Sequence, residues 1–267
     1  MSNGSVAGSA DLNSRLGRPT LGLPAARCDR HPGSAMPILA LKRYLRRWRL
    51  KRHGVFEEIE VNRLALAYEH GGWMICPDGI GPDSVVYSFG VGTNVAWDLA
   101  MIERFGCTIH AFDPTPRSVQ WVRSQQLPGQ FRFHDLGIAN VDGEKAFFPP
   151  RRASSTNYSP IDRGQAFDGK EVVKAPVARL ATIMQRLGHD RLDLLKMDIE
   201  GGEYDVIDDM LASDLDVRQF IVEFHHNFRT VPLQRTLDAV AGLRRAGFRL
   251  FHVSDRSYEM SFIRGVA

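Results

Sequence analysis

Two hydrophobic periods share this chain, and the change from one to the other predicts its elements. Ser84 to Phe89, SVVYSF, is a β-rich run, and the residues after it switch to helical spacing, with Val95, Leu99 and Ile102 on one face and Gly106 at the end. Cys107 to Phe112 returns to strand character, followed by a helix over about Pro116 to Gln126 and a short strand, Phe131 to His134. Residues 176 to 187, PVARLATIMQRL, read as a strand end and a helix. Leu192, Leu194, Leu195 and Met197 then form a largely buried strand, and Tyr204, Ile207 and Leu211 follow at helical spacing. Gln219 to Phe224 is a further strand, and Leu233, Leu237 and Val240 mark the last long helix, stopped at Gly247. Phe248 to Val253 and Tyr258 to Ile263 read as an antiparallel pair. Strands alternating with helices indicate an α/β fold built on a parallel sheet.

The chain begins differently. Residues 1 to 35 are rich in Gly, Ser, Ala, Pro and Arg without periodicity and read as a disordered extension, with Met36 as an alternative natural start. Residues 36 to 70 form a basic helical segment, and 71 to 267 form the α/β domain. Within the segment, residues 37 to 53 make an amphipathic helix with Ile38, Leu41, Leu45 and Trp48 on one face. The simplest expectation is that this stripe docks on its own domain, with peripheral contact to an anionic membrane as the alternative and no nucleic acid as partner. A second helix is expected over about Glu57 to His70, ended by Gly71-Gly72.

Charge sharpens this division. The formal net charge is +3, yet Lys42, Arg43, Arg46, Arg47, Arg49, Lys51 and Arg52 hold seven positive charges without an acid, leaving the remainder at −4. The basic balance is therefore local. The 43% hydrophobic and 24% charged content is ordinary for a globular chain, with no run approaching a membrane span. Three scattered cysteines make neither a zinc spacing nor a disulfide framework, which points to a reducing cytoplasm.

The chemistry gathers at strand ends. Gly90-Val91-Gly92-Thr93-Asn94 follows the Ser84–Phe89 strand, and Asp113 ends the next one, a nucleotide-binding βαβ arrangement. Glycines let the backbone approach a ligand, the helix start offers free N–H groups, and Asp113 can accept from both ribose hydroxyls or serve the helix starting near Pro116. Phe89, Gly90, Gly92, Thr93, Asn94 and Asp113 are the expected cofactor residues, with Asp135, after the third strand, for an adenine edge. The third glycine of the dinucleotide fingerprint is missing, and no Tyr-x-x-x-Lys pair is present. Both count against a nicotinamide-dependent oxidoreductase, which stays as an alternative beside a non-catalytic binding module. Arg151, Arg152, Ser155 and Asn157 lie in a donor-rich loop suited to an anionic or polyhydroxylated substrate.

The densest signal is Leu192 to Glu203, LDLLKMDIEGGE. Asp198, Glu200 and Glu203 crowd the end of a strand with Lys196 just before them and two glycines for a sharp turn. Glu223 and His225 close the Gln219–Phe224 strand, and they meet this cluster if the two strands are neighbours. Asp198, Lys196 and His225 are candidate catalytic residues; Glu200, Glu203 and Glu223 are candidate substrate contacts. No ligand spacing calls for an ion, so a metal-free site is expected, with Asp198, Glu223 and His225 around magnesium or manganese as the variant.

The run KMDIEGGEYDVI resembles the hallmark Lys-x-Asp-x-Glu-Gly-x-Glu of the FkbM family, and SFGVGTN and the acid of HAFDP are similar to that family too. The resemblance covers roughly Gly71 to Ile263. It implies a Rossmann-like methyltransferase fold, with a mostly parallel seven-stranded sheet and an antiparallel C-terminal pair. It also implies S-adenosylmethionine as cofactor and transfer of a methyl group to a hydroxyl on a small-molecule or glycan-type acceptor.

Overall fold

The computed structural model describes residues 38–67, 73–150, 157–164 and 171–266. The extension expected over residues 1 to 35, and Arg151, Arg152 and Ser155 of the donor-rich loop, lie outside the described residues. The elements in order are α1 (Ile38–Arg52), β1 (Leu64–Leu66), β2 (Trp73–Ile75), β3 (Val85–Phe89), α2 (Ala96–Phe105), β4 (Thr108–Phe112), α3 (Pro116–Arg123) and β5 (Phe131–His134). Then come β6 (Gly137–Ile138), β7 (Gly143–Phe147), β8 (Val173–Ala178), α4 (Leu180–Leu187), β9 (Arg191–Met197), α5 (Glu203–Ala212), β10 (Asp216–Glu223), α6 (Leu233–Arg245), β11 (Arg249–Val253) and β12 (Glu259–Ile263).

Seven strands form one sheet in the order β11-β12-β10-β9-β3-β4-β5. The run from β10 to β5 is parallel; β12 pairs antiparallel with both β10 and β11. This is the Rossmann-like methyltransferase sheet with its antiparallel C-terminal pair. Winding starts at β3, goes outward through β4 to β5, then returns to β9 on the other side. The point where the direction reverses lies between the ends of β3 and β9, where a crevice for ligands opens in such sheets.

Both sheet faces are covered, and the period of two sorts the side chains between them. Tyr87, Phe89, Leu195, Met197, Phe220 and Val222 pack with Tyr204, Ile207, Val240 and Leu243 of α5 and α6. Val86, Leu194 and Ile221, from alternate positions, pack with Trp97, Met101 and Ile102 of α2. Each such side chain, fully buried, contributes about 1.5–3 kcal/mol, so these central strands are the most strongly held part of the fold. A smaller sheet has the order β6-β8-β7, with β6 parallel and β7 antiparallel to β8.

Two expectations for the N-terminal segment need correction. No helix forms over Glu57 to residue 67. The chain instead runs alongside β11: the Glu58 N–H donates to the Leu250 carbonyl at 2.7 Å, and the Glu58 carboxylate accepts from the Leu250 N–H and from Arg244. Leu64 to Leu66 then pairs with Trp73 to Ile75 as a hairpin. These non-local bonds outweigh a weak helical pattern, because intrinsic propensity is a small term. Secondly, α1 does not dock its apolar stripe. Ile38, Leu41, Tyr44, Leu45 and Trp48 are between 42% and 75% exposed, and contact with the domain runs through buried Leu50 and the Arg46 and Arg47 side chains.

Candidate active site

A cavity of about 250 Å³ lies over the crevice between β3 and β9. One wall is the turn after β3: Phe89, Gly90, Gly92, Thr93 and Asn94 all line it. Phe89 and Phe112 stack with ring centroids 4.4 Å apart and give it an apolar side. Gly90 has a positive φ of 83°, and a Cβ there would lie 1.6 Å from the carbonyl oxygen of Asp198. The need for glycine at this position is thus the crossing of two backbones rather than the approach of a ligand.

Asp113 organises the turn. One carboxylate oxygen accepts the Gly92 N–H at 2.8 Å; the other accepts the Thr115 N–H at 2.9 Å and the Thr115 hydroxyl at 2.6 Å. The carboxylate ties the glycine turn to the entry of α3 and still lines the cavity, so both roles considered for it are geometrically compatible. Asp135 is different. It faces outward and pairs with Arg123 at 2.8 Å, away from the cavity wall. Asp135 therefore does not line the cavity over which an adenine contact was expected; the end of β5 sits at the sheet's edge, two strands from the crossover.

Opposite the turn, β9 delivers Lys196 and Asp198, with Ile199 and Glu200 following, all at the cavity. Lys196 has the same parity as Leu194 and points to the α2 side. Its ammonium is buried, 4.8 Å from the Trp73 ring centre and 5.7 Å from that of Trp97. Cation–π attraction holds a desolvated ammonium in place. Asp98, in the first turn of α2, is buried beside it; burial raises its carboxyl pKa and the Lys196 charge opposes that. Asp98 Oδ1 and Trp97 Nε1 have no hydrogen-bond partner among the described residues.

Asp198, Glu200 and His225 converge. His225 Nε2 is 3.8 Å from Asp198 Oδ1 and 3.6 Å from Glu200 Oε2. Asn157 donates to Glu200 Oε1, and Arg163 donates to Oε2 at 2.6 Å. Burial lifts the Asp198 pKa to about 6, against the pull of His225 and Lys196. For His225, burial acts to lower the pKa, but Glu203, Glu200 and Asp198 outweigh it and raise it to about 10.

Glu203 and Glu223 stand outside the cavity and correct the substrate-contact expectation. Glu203 is fully buried and accepts from the Ile199 and Gly201 N–H groups and from His225 Nδ1. Its donors come from the turn after β9 and from His225, and the carboxylate does not line the cavity. Glu223 pairs with Arg256 at 3.2 Å; burial, with Asp198 and Glu259 nearby, raises its pKa to about 8.

Trp73, Trp97, Asp98, Tyr158 and Arg163 were not expected at the site. Asp98 looks like an ordinary first-turn acid in the sequence; Trp97 follows the glycine turn by three residues, and Trp73 lies outside any motif.

The Methyltransferase FkbM domain model matches residues 85–250, from the start of β3 into β11, a span that includes the glycine turn, Asp113, Lys196, Asp198, Glu200 and His225. The chain belongs to the FkbM family of S-adenosylmethionine-dependent methyltransferases. Similar relatives are the probable methyltransferase-like protein 24 of Rattus norvegicus, 25% identical over 211 residues, and that of Homo sapiens, 24% identical over 230. These alignments take in 72% and 77% of this chain but 51% and 56% of the relatives, so the chain spans about half their length. Among solved structures, Aeropyrum pernix fibrillarin with bound S-adenosylmethionine is similar, with a TM-score of 0.39, 12% identity, and 69% of this chain and 67% of that one covered.

The cavity of this FkbM member fits the cofactor on its own chemistry. The orphaned Asp98 and Trp97 atoms, with a buried ammonium beside them, make a polar end suited to an amino-acid zwitterion. The Phe89–Phe112 stack makes an apolar end suited to a base.

Proposed function

We propose that this protein transfers the methyl group of S-adenosylmethionine to a hydroxyl oxygen of a small-molecule or glycan-type acceptor. The observation that carries the reading is Asp198: a carboxylate at the end of the central strand, lining the cofactor cavity, braced from behind by His225. The bound cofactor supplies an electrophilic sulfonium methyl. Lys196 and Asp98 would hold the carboxylate and ammonium of its amino-acid end, and Asp113 its ribose. Asp198 faces the acceptor and takes the hydroxyl proton. An O–C bond forms, the C–S bond breaks, and its electron pair stays on sulfur. Asn157, Tyr158 and Glu200 put polar groups on the same cavity, which suits an acceptor rich in hydroxyl groups.

The test is transfer of isotopic methyl from the cofactor into acceptor pools, with the product's linkage identified. Label in an ether that survives base supports the reading; label only on nitrogen, carbon or sulfur removes it.

A second reading concerns α1, whose exposed apolar face is turned away from the domain. We propose that α1 rests on an anionic membrane surface. Lys42, Arg43, Arg49 and Lys51 have no acidic partner among the described residues, and they flank Ile38, Leu41, Leu45 and Trp48. Among the described residues no helix is long and apolar enough to cross a membrane, so the contact is peripheral. Buried, unpaired Cys76 and Cys107 accord with a reducing compartment on that membrane's cytoplasmic side. Sedimentation with phosphatidylserine vesicles should be strong at low salt and weak at high salt. Binding to duplex oligonucleotides and not to vesicles would replace this reading.

A further inference from the structure

We propose that Asp198, Glu200 and His225 bind one divalent cation, and that this ion receives the acceptor oxygen. The ion's function rests on the methyl-transfer reading above; its binding does not.

Each of the three residues offers a ligand atom, and these atoms all lie within 4.8 Å of one another. From His225 Nε2 the two carboxylate oxygens are 3.6 and 3.8 Å away. Neighbouring ligands of an octahedral ion with bonds of ~2.1 Å are ~3.0 Å apart. Closing on an ion therefore takes shifts of under about 1 Å.

An independent observation comes from His225 itself. The residue is 4% exposed. Its Nδ1 is 2.9 Å from Glu203 Oε1, and that carboxylate already accepts from the Ile199 and Gly201 N–H groups. Glu203 is therefore an acceptor and Nδ1 carries the hydrogen. The ring is fixed with Nε2 aimed between Asp198 and Glu200, and no hydrogen-bond acceptor lies within bonding distance of it among the described residues. A carboxylate behind an imidazole is the arrangement that orients metal-binding histidines and increases their basicity.

Glu200 is held for the purpose. Its φ is +55°, a costly conformation for a side-chain-bearing residue, and Asn157 and Arg163 fix its carboxylate from the outer side. One imidazole with two carboxylates suits manganese or magnesium better than softer ions. With the acceptor oxygen on the ion, its hydroxyl proton is more acidic and passes to the second Asp198 oxygen; the O–C and C–S bond changes are as before.

The experiment uses full-length protein stripped with chelator and titrated with Mn²⁺ alone, followed by electron paramagnetic resonance. Calorimetry with S-adenosylmethionine is run on the same samples. We expect one Mn²⁺ per chain, with electron spin echo modulation from one directly bound nitrogen. Asp198→Asn and Glu200→Gln should each weaken Mn²⁺ binding at least tenfold, and His225→Gln should remove the nitrogen modulation. Unfolding temperatures identify any variant that fails to fold, and the two carboxylate variants are near-isosteric, so the wild-type nitrogen signal and at least one of them remain decisive. Mn²⁺ that binds without nitrogen modulation, or no Mn²⁺ bound by wild type, overturns the proposal: a proton alone then bridges the cluster. Mn²⁺ absent with cofactor bound leaves the methyl-transfer reading standing; cofactor absent with Mn²⁺ bound removes that reading and keeps the ion.

Discussion

Glu203 accepts a hydrogen bond from His225 at 2.9 Å in a fully buried position, and through that bond α5 fixes the imidazole that braces Asp198. The same carboxylate closes the turn after β9 by accepting the N–H groups of Ile199 and Gly201. Glu203→Gln keeps the shape but replaces one acceptor with a donor facing these donors. Leaving buried groups unpaired costs about 1–3 kcal/mol, so urea denaturation should show a loss of that size. Turnover should fall as well, because the turn carrying Asp198 and Glu200 loosens. Unchanged stability would mean that the turn is held by other bonds.

Asp113→Ala should weaken S-adenosylmethionine binding. The substitution releases Gly92, Thr115 and a ribose acceptor together. A hydrogen bond to a charged group contributes about 1.5–3 kcal/mol, corresponding to roughly a ten- to hundredfold loss of affinity by calorimetry. Gly92→Val, at a positive φ of 57°, should bind more weakly still, since a β-branched residue resists that backbone. If both folded variants bind like wild type, the turn does not hold the cofactor.

Asp198→Asn separates binding from chemistry. The amide fills the same volume, so cofactor affinity should change by less than about tenfold while turnover drops by about 10²–10⁴. Single-turnover methyl transfer measures the second quantity. Full turnover would move the proton acceptor elsewhere.

Stability should fall in acid through buried histidines. Burial lowers the pKa of His110 and His226 to about 4, and it also lowers those of His134, His189 and His252. An unfolded histidine titrates near 6.5, so between about 6.5 and 4 the unfolded chain holds more protons than the native one. Stability present above about 6.5 is therefore lost as pH falls through this window. The raised carboxyls of Asp198 and Glu223 act in the opposite sense, losing their contribution as pH rises. His110 stacks on His134 and packs against Tyr87, so His110→Phe preserves ring contacts and should flatten the acid limb of urea midpoints measured against pH.

The strands and most helices of the α/β domain were legible because their signals are local. The apolar runs of β3 and β9, the glycine after β3, and helical spacing after Glu203 each act within a few residues. The motif from Lys196 to Glu203 marked the crevice for the same reason, since one strand end and one turn carry it. Where bonds to distant chain decided the outcome, the sequence pattern was silent. Glu57 to Leu66 has a helical look, and only the edge of β11 turns it extended.

The site divides along the same line. Asp198, Glu200 and the glycine turn are one strand apart, and their order along the chain implies their meeting. Asp98 and the two tryptophans around Lys196 come from a helix and a hairpin whose approach depends on sheet parity: Lys196 points to the α2 side because Leu194 does. Glu203 shares a motif with Asp198, yet its side chain turns into the protein because three donors, the Ile199 and Gly201 N–H groups and His225 Nδ1, converge there. Sequence spacing determines which residues reach a strand end; which way each carboxylate faces is decided by the donors that the rest of the fold brings to it.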